Sequence, residues 1–338
     1  MDQSSLRFLG NQRSNVLEGM RFFAALLVII SHAFTLSTGS SEREWLSALT
    51  NNAMGLGAVA VSLFFLCGGY LIAKSMERLK TFSAFWKARI RRLFPALIFV
   101  VAVTIFCGAF LTDLAADDYF ASAGTWKYFL NAVMIPVHDL PGVFAQNVGY
   151  ATVNGSLWTL PVEFACYIGC YLLYKLGIWG KRKFWYSAPL VAAGIGGILL
   201  ISSPGLVLRS VIRPGMMFYL GMLAWNYRDY IKLNGKAAAV LAVLFVPITY
   251  LGYFEWGMYL FFPYIMFYCW FGLKQERFSG MAKWGKYSYG IYLCGYPVQQ
   301  TIVSLCGGSM NPYCNMLLAV PVACILGVAV YHVVEKRF

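Results

Sequence analysis

The sequence predicts an all-α polytopic membrane protein of about ten transmembrane helices, with both termini cytoplasmic. Three observations predict it. Apolar residues make up 59% of the 338-residue chain and charged residues only 12%, far from the balance of an ordinary soluble domain. Apolar runs long enough to cross about 30 Å of hydrocarbon recur near residues 18–36, 53–73, 94–112, 153–174, 184–203, 207–226, 237–254, 257–273, 287–306 and 314–334. The basic residues then fall almost wholly in alternate gaps. With both ends inside, only Arg43, Lys127, Arg209 and Arg213 of the 27 Lys and Arg lie on the outer side, and the opposite orientation breaks the positive-inside rule.

This pattern excludes several classes. The net charge of +13 raises nucleic acid as a partner, but that requires a basic stripe on a soluble fold. Here the basic residues sit in short gaps between apolar runs, so the expected partner is the bilayer. The first run lacks a small-residue cleavage site and similar runs follow it, so no signal peptide is expected. Residues 1–338 read as one integral-membrane domain without an appended soluble one. The nine cysteines show no metal-ligand spacing, and no metal is expected. Cys306 and Cys314 flank a short Gly-containing loop that leaves a disulfide open.

The first run, VLEGMRFFAALLVIISHAFTL, carries Arg21 near its start and His32 deep inside. They are eleven positions apart, so they share a helix face about 16 Å apart along the axis. Ionisable groups inside an apolar span face a cavity or a partner rather than lipid. Interface anchoring by Arg21 and a structural hydrogen bond of His32 remain the alternatives.

In KARIRRLFP, residues 87–95, an inner loop is expected, with Arg89 and Arg92 on one helical face. Guanidinium forks suit phosphate oxygens, although basic inner loops also meet anionic lipid. The longest outer connection, 112–151, is acidic and aromatic; loops of that length tend to be functional. We expect it to form a partly re-entrant lid over an acceptor. In GSLWTLPVEFACYIGC, residues 155–170, Glu163 enters a span and requires a partner, either functional or a structural pair with Arg209 or Arg213. In KYSYGIYLCGYPVQQ, residues 286–300, Ser288, Tyr292 and their neighbours can serve a ligand or bond between helices.

Together these stretches resemble the integral-membrane acyltransferase-3 family, over nearly the whole chain. LEGMRFFAALLVIISH is similar to its first-helix signature of an arginine, ten residues and a histidine. VSLFFLCGGYLI resembles its second-helix pattern. Arg89 and Arg92 ahead of Leu93-Phe94-Pro95 match its RxxR…P element, GSLWTLPVEF its LW-T/S-L-x-x-E stretch, and YSYGIYL…YP its late helix. Glu335 matches a C-terminal glutamate. Ser62, Gly68 and Gly295 depart from the pattern, the last where many members have a second histidine. His138 and His332 match no motif.

The resemblance implies a membrane O-acyltransferase of the cytoplasmic membrane, moving an acyl group, most commonly acetyl, from cytosolic acetyl-CoA to an extracytoplasmic carbohydrate hydroxyl. It implies His32 and Glu163 as catalytic, and Arg21, Arg89 and Arg92 as binding the donor. Trp158, Ser288 and Tyr292 are the expected substrate contacts. His32 would act as general base or carry the acyl group as an acyl-imidazole. A transporter or flippase of a small solute or lipid-linked sugar is the competing class; it would favour an inverted repeat between the halves, and the sequence has none.

Overall fold

A computed structural model describes residues 4–10, 14–201, 205 and 208–338. Arg13, residue 207 at the start of the sixth expected run, and the side chain of Arg209 lie outside the described part. Among the described residues there is no strand. Two isolated β-bridges, Ser5 to Lys232 and Thr112 to Val143, are the extended pairings.

Helix α1 spans Asn15–Thr38. Ser14 starts it, its hydroxyl accepting the Leu17 N–H at 3.1 Å, which satisfies one of the four orphan donors of a helix start. Helix α2 spans Leu56–Leu79 and α3 spans Phe82–Gly108. The KARIRRLFP stretch lies inside α3 rather than in a loop. Thr81 caps the start by accepting the Ala84 N–H. Between Thr81 and Gly108 there is no glycine, Lys, Ala and Arg are good helix formers, and the helix runs on through Pro95. At 1.5 Å per residue α3 is about 40 Å long, so its basic first turns extend beyond an apolar layer of about 30 Å.

A 3-10 turn, Gly155–Trp158, leads into α4, Thr159–Lys175. Pro161 falls in the first turn, where the lost N–H costs nothing. Helix α5 spans Ser187–Ile201, α6 Arg213–Asn226 and α7 Gly235–Tyr250. The run expected at 257–273 is instead three pieces, Phe254–Leu260, Phe262–Phe267 and a π-turn Tyr268–Gly272. Pro263 lacks the N–H that would join the first two. Helix α8 spans Ser288–Leu305 and α9 Pro312–Val333. Among the described residues, five helices are long and apolar enough to cross a membrane, over Asn15–Thr38, Leu56–Leu79, Phe82–Gly108, Gly155–Lys175 and Pro312–Arg337; Phe184–Leu200 and Gly235–Tyr250 are apolar but shorter. Cys306 and Cys314 are free thiols.

The chain divides into two compact units. The first comprises Met1–Arg21, Val61–Phe85 and Val162–Lys283. Within it α2 and α6 meet at backbone distance. A Cβ on Gly69 would lie 1.9 Å from the Phe218 carbonyl oxygen, and one on Gly221 2.2 Å from that of Leu66. Small residues permit such approach where lipid supplies no hydrophobic drive between helices. Arg213 is buried and paired with Glu255, and Arg228 with Glu77 at 3.0 Å.

The second unit comprises Phe22–Ala60, Trp86–Pro161 and Trp284–Phe338. Its core includes Leu97, Val101 and Ile105 of α3, Tyr119 and Tyr128 of the outer connection, and Leu293 of α8. Here too glycines set the spacing: Gly290 of α8 and Gly327 of α9 face each other, a Cβ on Gly327 falling 2.7 Å from the Ile291 nitrogen.

Candidate active site

The polar feature of the second unit is a cavity of about 410 Å³ lined by His32, Thr35 and Leu36 from α1. Those positions are i, i+3 and i+4, one face of a helix. The connection 112–151 contributes His138 and Tyr150, and Thr152 follows it; Gly155 and Tyr296 of α8 complete the lining. The His32 and Tyr296 rings meet edge to face, 5.1 Å between centroids at 73°. Gly155 makes room for this ring, since a Cβ there would lie 2.7 Å from Tyr296 Cε2. His32 is half-buried and His138 exposed.

The connection 112–151 is a folded wall. It contains the helices Ala116–Ala121 and Ala123–Lys127 and the 3-10 helix Tyr128–Val133. Tyr119 donates to the Ile105 carbonyl of α3 at 2.9 Å. Burial pushes the Tyr119 phenol up to about 12, and burial raises the Tyr128 phenol too. Asn131 brackets Val137, accepting from its N–H at 3.1 Å and donating to its carbonyl at 2.9 Å. The His138 carbonyl accepts the Val153 N–H at 2.8 Å. Nearer the cavity, fully buried Gln300 of α8 donates to the Tyr150 and Thr152 carbonyls at 2.6 and 2.7 Å. Asn147 in turn donates to the Gln300 side-chain oxygen at 2.9 Å. Gln299, one residue earlier, ties α8 to the Ile29 carbonyl of α1 and to Asn315 of α9, both at 2.8 Å.

The expected site residues distribute unevenly. His32 alone among them lines the cavity. Arg89 and Arg92 lie on one face of α3, Arg89 buried and Arg92 exposed. Trp158 is half-buried at the end of its 3-10 turn. Tyr292 donates to the Ser156 carbonyl at 2.9 Å and lies 2.7 Å from the Thr159 hydroxyl. Ser288 donates to the Gly285 carbonyl at 2.8 Å. Arg21 and Glu163 fall in the first unit, where the Tyr167 hydroxyl donates to Glu163. Glu255, rather than Glu163, is the carboxylate paired with Arg213.

A second cavity, about 500 Å³, lies between α3, α8 and α9. Its two threonines spend their hydroxyls on their own helices, Thr104 on the Val100 carbonyl and Thr301 on that of Pro297. Its lining includes no histidine or carboxylate.

The acyltransferase domain model of the acyltransferase-3 family matches residues 15–333. The chain belongs to the acyltransferase-3 family. Among relatives of this acyltransferase, the O-acetyl transferase of Shigella phage Sf6 is 30% identical over 96% of both chains. The putative peptidoglycan O-acetyltransferase YrhL of Bacillus subtilis (strain 168) is 27% identical over 95% of this chain but 54% of its own. The acyltransferase MdmB of Streptomyces mycarofaciens is 27% identical over 53% of this chain and 44% of its own. No solved structure matches the chain.

Where many members have a second histidine, this acyltransferase has Gly295, and a Cβ there would lie 2.7 Å from Ile29 Cγ1, so a side chain at this position requires Ile29 to shift. The residue that sequence reasoning passed over is His138. Its only sequence signal is that it is one of three histidines and sits in the longest outer connection. The fold of that connection brings it to the cavity.

Proposed function

We propose that this acyltransferase is a membrane O-acetyltransferase that moves acetyl from cytosolic acetyl-CoA to a hydroxyl of an extracytoplasmic carbohydrate. We place it in a bacterial cytoplasmic membrane, crossed about ten times with both termini inside. The observation that carries the reading is His32 in an open pocket that also holds His138, Tyr150, Tyr296, Thr35 and Thr152. The names of the phage and Bacillus relatives support acetyl as the group, and that of the Bacillus relative supports a glycan as the acceptor. Family membership favours transfer over transport.

In this reading the sugar hydroxyl enters from the outer side and gives its proton to the neutral imidazole of His32, which acts as general base. The freed oxygen attacks the thioester carbonyl and the C–S bond breaks. The CoA thiolate then takes the proton back from the imidazolium. Direct attack needs no second nucleophile, which favours it over an acyl-imidazole. Arg89 and Arg92 hold the CoA phosphates through their guanidinium forks, and Arg21 is assigned to the same donor. Helix α1 rises about 16 Å between Arg21 and His32, about half of an apolar layer, a reach suited to an extended pantetheine arm. Glu163 is assigned as a further essential carboxylate.

The test uses oriented membrane vesicles and acetyl-CoA labelled in its acetyl group. Methyl glycosides, bacterial O-polysaccharide and peptidoglycan fragments serve as acceptors. Wild type is expected to transfer label in step with thiol release. His32→Ala is expected to lose transfer but keep acetyl-CoA binding, and Arg89→Ala to lose both. Unchanged transfer in His32→Ala removes the base assignment. Absence of acceptor-dependent thiol release in wild type removes the function.

A further inference from the structure

Two of the three histidines in the chain line one cavity, and only His32 has a task so far. His138 stands on backbone fixed at three points. Val137 before it is bonded at both N–H and C=O by Asn131, and its own carbonyl takes the Val153 N–H. Val153 adjoins Thr152, which lines the same cavity and is held by Gln300. An exposed imidazole on a loop would ordinarily sweep a wide volume; this one is presented on a braced wall opposite α1. Besides His32, the polar side chains sharing the cavity with it are two tyrosines and two threonines, Tyr150, Tyr296, Thr35 and Thr152. That set offers hydrogen bonds without a fixed charge, as a polyhydroxyl ligand requires and an anionic one does not.

We propose that His138 is a second substrate-contacting residue: it hydrogen-bonds one hydroxyl of the carbohydrate acceptor while another hydroxyl of the same sugar lies at His32. The cavity therefore selects acceptors by a pair of hydroxyls, one acylated and one only held. This rests on the acetyl-transfer reading above. His138 takes no proton in the reaction, and the bond-making step remains that at His32.

The experiment takes the methyl glycoside that wild type acetylates best, with its monodeoxy analogues, in the same vesicles. His138→Ala is expected to raise the KM for the glycoside about tenfold, the scale of one lost neutral hydrogen bond, and to leave the KM for acetyl-CoA unchanged. One monodeoxy analogue is expected to lose the same factor on wild type and nothing further on the variant. His138→Gln, which keeps a donor and an acceptor, is expected to recover most of the loss. A wild-type glycoside KM in His138→Ala, or losses that multiply for every deoxy analogue, overturns the proposal. A second readout is carbethoxylation by diethyl pyrocarbonate, mapped by mass spectrometry. The glycoside is expected to slow modification of His138 and not that of exposed His332; equal rates at His138 with and without glycoside overturn it. Failure confined to these tests, with wild type active and His32→Ala inactive, leaves acetyl transfer standing. Absence of transfer to any glycoside or glycan by wild type takes down both.

Discussion

Replacing Gln300 by Leu keeps the side-chain volume but removes the clasp between α8 and the cavity wall. Three hydrogen bonds go: those to the Tyr150 and Thr152 carbonyls and the one accepted from Asn147. At about 1 kcal/mol net for each such bond, the wall loses about 3 kcal/mol against local opening. The Tyr150 and Thr152 carbonyls lie at part-buried contacts, and the Asn147 amide keeps its second bond, to the Gln300 backbone carbonyl at 3.0 Å. One decade in an equilibrium constant is about 1.4 kcal/mol, so the wall is expected to open about 100-fold more often. Hydrogen exchange reads this directly. The Val153 amide, bonded to the His138 carbonyl, and the Val148 amide, bonded to that of Gly308, report the opening. Both are expected to exchange about 100-fold faster in Gln300→Leu, while amides in the middle of α3 keep their rates. Exchange at Val148 and Val153 within twofold of wild type would falsify the view that Gln300 holds the wall.

Three further perturbations test the rest of the packing. Gly155→Ala puts a methyl 2.7 Å from the Tyr296 ring; displacing it is expected to cost about 1–3 kcal/mol and to lower acceptor kcat/KM at least fivefold with acetyl-CoA affinity kept, as read in steady-state kinetics. Gly327→Ala meets the Ile291 backbone nitrogen at 2.7 Å, an atom that cannot move aside, so thermal unfolding in detergent is expected to shift down; an unchanged midpoint refutes the close approach of α8 and α9. Tyr119→Phe removes the bond to the Ile105 carbonyl and is expected to cost about 1 kcal/mol, seen as faster proteolysis within 112–135.

What was legible of the cavity in the sequence is His32, and what was legible more widely depends on local periodicity. Arg21 and His32 share a face because both lie on one uninterrupted apolar run, and spacing alone gives that. Arg89 and Arg92 were readable as one helical face. Their place inside a long helix was not, because a hydropathy scan ends a span at its charges whereas the backbone continues from the Thr81 cap. The break at Pro263 was missed for the converse reason: apolarity is continuous across it, while the hydrogen-bond ladder is not. Gln299 and Gln300 stood out as polar groups in a span, but whether they face a ligand or a neighbour depends on partners more than a hundred positions away, such as Tyr150 and Ile29. His138 was invisible because nothing local marks it; its position follows from how Asn131 and Val153 fold the connection.

Helix α8 touches its neighbours through residues that leave no slack, Gly290 at α9, Gly295 at Ile29 and Tyr296 over Gly155. A helix clasped on three sides has little freedom to drift as mutations accumulate. Diversification of the cavity is then one-sided: new sugar preferences are expected to arise by exchanging wall residues such as His138, Tyr150 and Thr152, whose backbone is braced but whose side chains stand clear. A library confined to those three positions would sample acceptor choice without touching the membrane scaffold.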